Sequence, residues 1–137
     1  MTRLKSALLA LSVCAAAPIA AAEAKPHLRD VPEIEHTLFT VALANEVDKK
    51  CDSISGRRLK GFNVLFQLRR RANELGYSDA EIRAYVESDS EKDRMRAKGY
   101  EYLTSNGVKK NDPETFCAFG RAEIAKSSAI GALLKAR

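Results

Sequence analysis

The sequence predicts an all-α fold, a compact bundle of about five helices with one disulfide, following a cleaved signal peptide. Three observations point there. Helix-start signatures stand at Ser78 with Glu81, at Ser88 with Glu91 and at Asp112-Pro113. Apolar residues recur at helical spacing, and no stretch alternates with a convincing strand period. Finally, an export-type amino terminus would leave two cysteines, Cys51 and Cys117, in an oxidising compartment.

At the start of the chain, Arg3 and Lys5 precede the apolar stretch Ala7 to Val13, and an alanine tract closes on Ala20-Ala21-Ala22. A positive region, a short apolar core and an A-x-A site make a secretory signal peptide, with cleavage expected after Ala22. A spanning helix needs about 20 apolar residues. Here the tract gives way at once to Glu23, Lys25 and Pro26. Cys14 raises a lipoprotein reading, but Val13 stands where that processing takes a small side chain. The expected organisation is therefore a signal peptide over 1–22, a flexible or loosely docked N-terminal arm over 23–31 and a single helical domain over 32–137. The expected location is the periplasm or the exterior, with no stable membrane insertion after cleavage.

Processing would leave 21 basic against 18 acidic residues, a net charge of +3. A nucleic-acid binder shows a concentrated basic face with aromatic or motif support. The mild charge points away from nucleic acid and towards weak attraction to anionic surfaces. The expected partner is a protein. Nothing in the sequence fixes an oligomeric state.

Cys51 and Cys117 permit only one internal pairing. A bridge would close a loop of 65 intervening residues, which stabilises a chain by about 4 kcal/mol through loop entropy. Cys117 sits in the early turns of a predicted helix, where the helix dipole would also suit a reactive thiolate. Metal binding has the least support, since His27 and His36 are at no ligand spacing and C-x-x-C is absent.

Pro32 opens the first predicted helix, which runs to about Lys50 with Ile34, Leu38, Val41 or Ala42, and Asn45 on one face. His36 on this helix reads as a surface histidine. The second spans about Ser55 to Leu75 and stops at Gly76. Leu59, Phe62, Leu65, Phe66, Leu68, Ala72 and Leu75 cover most of its circumference, which predicts a central helix contacted from two sides. Arg69-Arg70-Arg71 cannot form one flat face, because consecutive helical residues point about 100° apart. Arg69 falls inside the apolar arc, where it must snorkel, meet a carboxylate or recognise an anion in a pocket.

Two capping boxes then start two helices, the first burying Ile82, Tyr85 and Val86 and the second Met95, Tyr102 and Leu103. Asp89, Glu91 and Asp93 read as caps and solvated positions, because Arg94 replaces the glycine of a calcium loop. Asn106-Gly107 ends the fourth helix. The last is expected from Asp112-Pro113 to about Leu134, with Phe116, Phe119, Ile130, Leu133 and Leu134 as its seam. Gly120, Ser127 and Gly131 form a stripe for close helix approach, while Arg121, Ser128 and Lys135 face water.

The segments "YSDAEIRAYVESDSEKDRMRAKG" and "DPETFCAFGRAEIAKSSAIGALLKAR", with "CDSISGRRLKG" before them, resemble a family of small exported alphaproteobacterial proteins known as domain of unknown function 5333. The resemblance covers nearly all of the mature chain and carries no established activity. It implies an association, since some members lie near or are named after respiratory NADH dehydrogenase genes. An iron–sulfur subunit of that enzyme needs four cysteine ligands for a two-iron cluster, and NADH is oxidised on the cytoplasmic side. An accessory role outside the electron path fits two cysteines better.

The expected function is that of an exported non-enzymatic helical protein with a structural or protein-interaction role in the periplasm or envelope. No catalytic, cofactor-binding or metal site is expected. An alternative is a binder of small anionic ligands, or an enzyme, using Arg69 with Tyr85 or Tyr102 in an interhelical pocket. A further alternative is an accessory protein linked to NADH dehydrogenase.

Overall fold

Local signals decide where most helices begin. In the computed structural model, which describes residues 23–137, Pro32 occupies the first turn of α1 (Pro32–Lys50), with Glu33 and Glu35 at the positive end of its dipole and Lys49 and Lys50 at the negative end. The signal peptide expected over 1–22, and Cys14 within it, lie outside the described residues. A short strand, β1 (Ile54–Gly56), precedes α2 (Arg58–Glu74). Then follow α3 (Asp79–Glu87), α4 (Asp89–Ser105) and α5 (Pro113–Ala125). A 3-10 turn over Gly131–Leu133 leads into a second strand, β2 (Leu134–Ala136).

The fold is all-α apart from these strands. They pair antiparallel, Ile54 opposite Ala136, Ser55 opposite Lys135 and Gly56 opposite Leu134. The helix expected from Ser55 is therefore shorter by its first turn, and the helix expected to reach Leu134 stops nine residues earlier at Ala125. Three residues are too few to display a strand period, and the partner lies far away in sequence.

Three helix ends share one geometry. After α2, the Tyr77 amide bonds the Ala72 carbonyl and the Gly76 amide that of Asn73, with Gly76 at φ 93°. After α4, Val108 and Gly107 repeat this on Leu103 and Thr104, with Gly107 at φ 83°. Both are Schellman stops at the glycines that announce them. After α5 the same two bonds run from Ser128 to Glu123 and from Ser127 to Ile124, but the left-handed residue is Ser127, at φ 51°. A serine carries no such signal in sequence, which is why the helix appears longer there. Ser128 is half-buried rather than facing water. Its hydroxyl accepts from the Gly131 amide and donates to Glu123.

Gly131 has no room for a side chain: a Cβ there would lie 2.0 Å from the Glu123 carbonyl oxygen. The chain can fold back onto the end of α5 only through a glycine. Gly120 does allow close approach, of α1 and β1, since a Cβ would meet Ile54 at 2.7 Å and Val47 at 2.8 Å.

The main core gathers Leu43, Val47, Ile54, Leu103, Phe116 and Leu134 between α1, α4, α5 and the strand pair. All five expected seam residues, Phe116, Phe119, Ile130, Leu133 and Leu134, are buried, although α5, the 3-10 turn with its leading residue and β2 carry them in place of one helix. The Cys51–Cys117 disulfide sits inside this core with both sulfurs buried and a Cα–Cα distance of 5.1 Å, joining the end of α1 to α5. α1 is the central helix: it contacts α2, α4, α5 and β1. Its buried residues include Leu43, Ala44 and Val47; of the face read as Ile34, Leu38, Val41 or Ala42, and Asn45, Val41 packs half-buried against the core while Ala42 and Asn45 are exposed.

A second, smaller core holds Leu28, Ile34, Ala72, Tyr77 and Tyr85. Leu28 reaches it from the segment read as a flexible or loosely docked arm. That segment is tied down where Lys25 Nζ donates to the Gly76 carbonyl at 2.7 Å and to Glu81 at 2.9 Å, and where the Tyr77 hydroxyl donates to the Pro26 carbonyl.

Candidate functional site

The outer face of α2 departs furthest from what its composition predicts. Val64, Leu68, Ala72 and Leu75 repeat at helical spacing and turn towards α1 and α3. That stripe already completes the inner contact. Leu59, Phe62, Leu65 and Phe66 lie on a second arc, and no other element among the described residues covers it: Leu59 is 87 % exposed, Phe62 68 % and Phe66 58 %. α2 is thus a peripheral helix with one buried side, not the central one. The helical wheel counts apolar residues but says nothing of how many neighbours exist to cover them. Two apolar arcs on one helix, the inner one complete by itself, was the signal that could have revealed an exposed apolar face.

Arg69 does lie on this outer arc, and the arc faces water. Its Nε donates to Asp79 Oδ1 at 2.9 Å and its terminal nitrogen to Oδ2 at 2.6 Å, a two-point fork onto the first turn of α3. The fork, helped by Asn73, holds the Asp79 carboxyl down to about 2. Both side chains are about half exposed. Arg69 lines neither of the two grooves described below, and Tyr85 and Tyr102 are not its companions. Tyr102 packs edge-on against Phe39 and Phe119. Tyr85 belongs to a separate polar cluster.

That cluster is built on Glu35 of α1. Arg94 of α4 forks it at 2.8 and 2.9 Å, Lys98 donates at 2.9 Å and the Tyr85 hydroxyl at 3.3 Å. These donors, Arg94 foremost, hold the Glu35 carboxyl down to about 2 against burial that works the other way. The same carboxylate raises the Arg94 guanidinium, and burial raises the Tyr85 hydroxyl.

Arg94 also bonds Glu91 at 2.9 Å, and Arg29 reaches Glu91 from the amino-terminal segment. Glu91 was expected as a cap or a solvated acid; it is buried. Its capture explains a difference between the two predicted capping boxes. At Ser78 both halves form, Glu81 N to Ser78 Oγ at 3.1 Å and Ser78 N to Glu81 at 2.7 Å. At Ser88 only the amide of Glu91 returns, at 3.4 Å, because the Glu91 carboxylate is engaged elsewhere. A carboxylate saturated by cations is a poor general base. The cluster's evident role is to tie α1, α3, α4 and the amino-terminal segment together.

Beside it, between α1, α3 and α4, runs an open groove of about 360 Å³ with Leu38, Leu43, Val86, Met95 and Leu103 on its walls and Tyr100, Glu46, Lys92 and Arg96 at its polar margin. The Tyr100 hydroxyl donates to Glu46 at 2.9 Å across that margin. A second groove of about 500 Å³ lies under the amino-terminal segment, bordered by Lys25, His27, Tyr77 and Tyr85. His36 is exposed on α1, as its sequence position suggests. None of the helices in the described residues is long and apolar enough to cross a membrane.

No curated protein and no solved structure matches this chain. A family model does, over residues 26–135, a span that takes in most of the described amino-terminal segment, the five α-helices of the described residues and most of the strand pair. The chain belongs to the family of unknown function DUF5333.

Proposed function

We propose that this protein is an exported, non-enzymatic interaction module of the cell envelope, held in shape by the Cys51–Cys117 bridge and docking through the outer face of α2. One observation carries the reading: Leu59, Phe62 and Phe66 stand largely in water on a helix whose inner side is already packed. Contiguous exposed apolar side chains rimmed by polar ones mark a contact surface. A buried disulfide fits an oxidising compartment, and the signal-like amino terminus provides the route. Fractionation tests it. The wild-type chain is expected with the envelope, and Phe62→Ser/Phe66→Ser with the freely exported proteins, at an unchanged melting temperature. An unchanged distribution would refute the reading.

A second reading, a small-molecule site, is supported by the groove between α1, α3 and α4, whose volume suits a small ligand. There the available cations are Lys92 and Arg96 rather than Arg69. Met95→Trp would fill that groove, so a ligand-induced thermal shift that survives it would dismiss the site.

A further inference from the structure

The outer face of α2 has a border as distinctive as its apolar ridge. At helical spacing, Arg58 and Arg69 flank the ridge of Phe62 and Phe66 on one side, and Arg70 flanks Leu59 on the other. Between Arg57 and Glu74 there are six basic residues and one acidic one. Arg69 is engaged by Asp79, and Arg71 by Glu33. Arg58, Lys60 and Arg70 have no carboxylate partner among the described residues. The occupant of this face must therefore accept apolar side chains and bring negative charge.

A second copy of the chain fails the charge condition, since two α2 faces would set arginines against arginines. Shape separates the remaining candidates. The ridge is the convex side of a single peripheral helix, and α2 contributes no residue to either groove. A folded partner would need a matching cleft, whereas a lipid surface deforms around protruding phenylalanines. Phe and Leu on one arc with arginines long enough to snorkel at its edges is the pattern of a helix lying in a bilayer interface.

Resting on the reading of α2 as the working surface, we infer that its occupant is an anionic phospholipid surface, with Leu59, Phe62 and Phe66 in the acyl boundary and Arg58 and Arg70 on the phosphates. The chain would then be a peripheral protein of the bilayer.

The chain contains no tryptophan, so Phe62→Trp supplies a single reporter at the centre of the ridge. Vesicles of phosphatidylcholine mixed with phosphatidylglycerol are expected to shift its emission to the blue, with weak response to phosphatidylcholine alone and reversal by salt. In flotation with the mixed vesicles, Arg58→Gln/Arg70→Gln and Phe62→Ser/Phe66→Ser should each lose about tenfold or more in binding. Any contribution from residues 1–22 is common to all variants and cancels in the comparison. Circular dichroism melts of the variants separate lost binding from lost fold.

No blue shift with either vesicle, or flotation indifferent to both double variants, overturns the lipid assignment. A photo-crosslinker at position 62 then decides the underlying reading in intact cells. Adducts to a specific protein, absent from a control at position 101, keep α2 as the working surface with a protein occupant. Adducts to a second copy do the same for a dimer. No vesicle binding and no adduct removes both.

Discussion

The two sides of α1 are held by different means. On the side of α5, apolar side chains and a covalent bond make the contact: Phe116, Leu134, Val47 and Ile54 surround Cys51–Cys117, and the strand pair closes over them. On the side of α2 and α3, five residues form a modest core, and its closure is electrostatic, through Glu35, Arg94, Glu91 and the fork of Arg69 on Asp79. The first side uses nearly all its large apolar residues internally. The second leaves Leu59, Phe62 and Phe66 outside. The disulfide thus lies in the larger core, whereas the exposed ridge belongs to α2, whose inner stripe packs mainly on the smaller one.

The sharpest way to break the contrast is at the bridge. Cys51→Ala/Cys117→Ala should lower stability by about 4 kcal/mol, read as a fall in the denaturant midpoint that reductant reproduces in the wild type. A midpoint unmoved by reductant would mean that the apolar side stands without its staple. Next comes Arg94→Met, which leaves half-buried Glu35 and buried Glu91 with one cation fewer each. It should cost about 2 kcal/mol, because Glu91 is buried while water still reaches the Arg94 guanidinium.

The same variant has a signature in pH. Glu35 titrates near its ordinary value of 4.5 in the unfolded chain and at about 2 in the folded one. Its contribution is complete above about 4.5 and is lost as pH falls from there through 2. Urea midpoints measured across that window should fall with acid in the wild type and fall less steeply in Arg94→Met. Arg69→Met should cost less than either change, as expected for an exposed fork. Phe62→Ser/Phe66→Ser should move stability by no more than about 0.5 kcal/mol. A large loss from this last pair would mean that the ridge is part of the core after all.

What the sequence disclosed follows the range of the interactions involved. Ser78, Asp112-Pro113, Gly76 and Gly107 act within a few residues of themselves, and the helix boundaries they imply match the structure. The pairing of Ile54 to Gly56 with Leu134 to Ala136 depends on residues far apart and is too short to leave a periodic trace. The stop at Ala125 uses Ser127 in a conformation usually announced by glycine. Glu91 shows most clearly why a motif is not a contact: the capping-box pattern is correct locally, but Arg29 and Arg94 take the carboxylate. As for α2, its composition showed a wide apolar arc, but the central position inferred from it does not hold, because only one side of the arc is packed. Which side has a neighbour depends on the whole chain, and so does the identity of the exposed surface.

The strand pair also constrains the order of assembly. Arg57 donates its amide to the Leu133 carbonyl and its side chain to that of Leu134, while the Arg137 amide returns to Ser53. The segment that launches α2 is therefore anchored by residues made some eighty positions later. Until those arrive, α2 hangs from an unfinished edge, and its phenylalanines are exposed alongside apolar residues destined for the interior. If the chain is exported as proposed, the ridge proposed to meet lipid would be available before the scaffold behind it is complete. Membrane encounter and final closure of the fold would then compete in time.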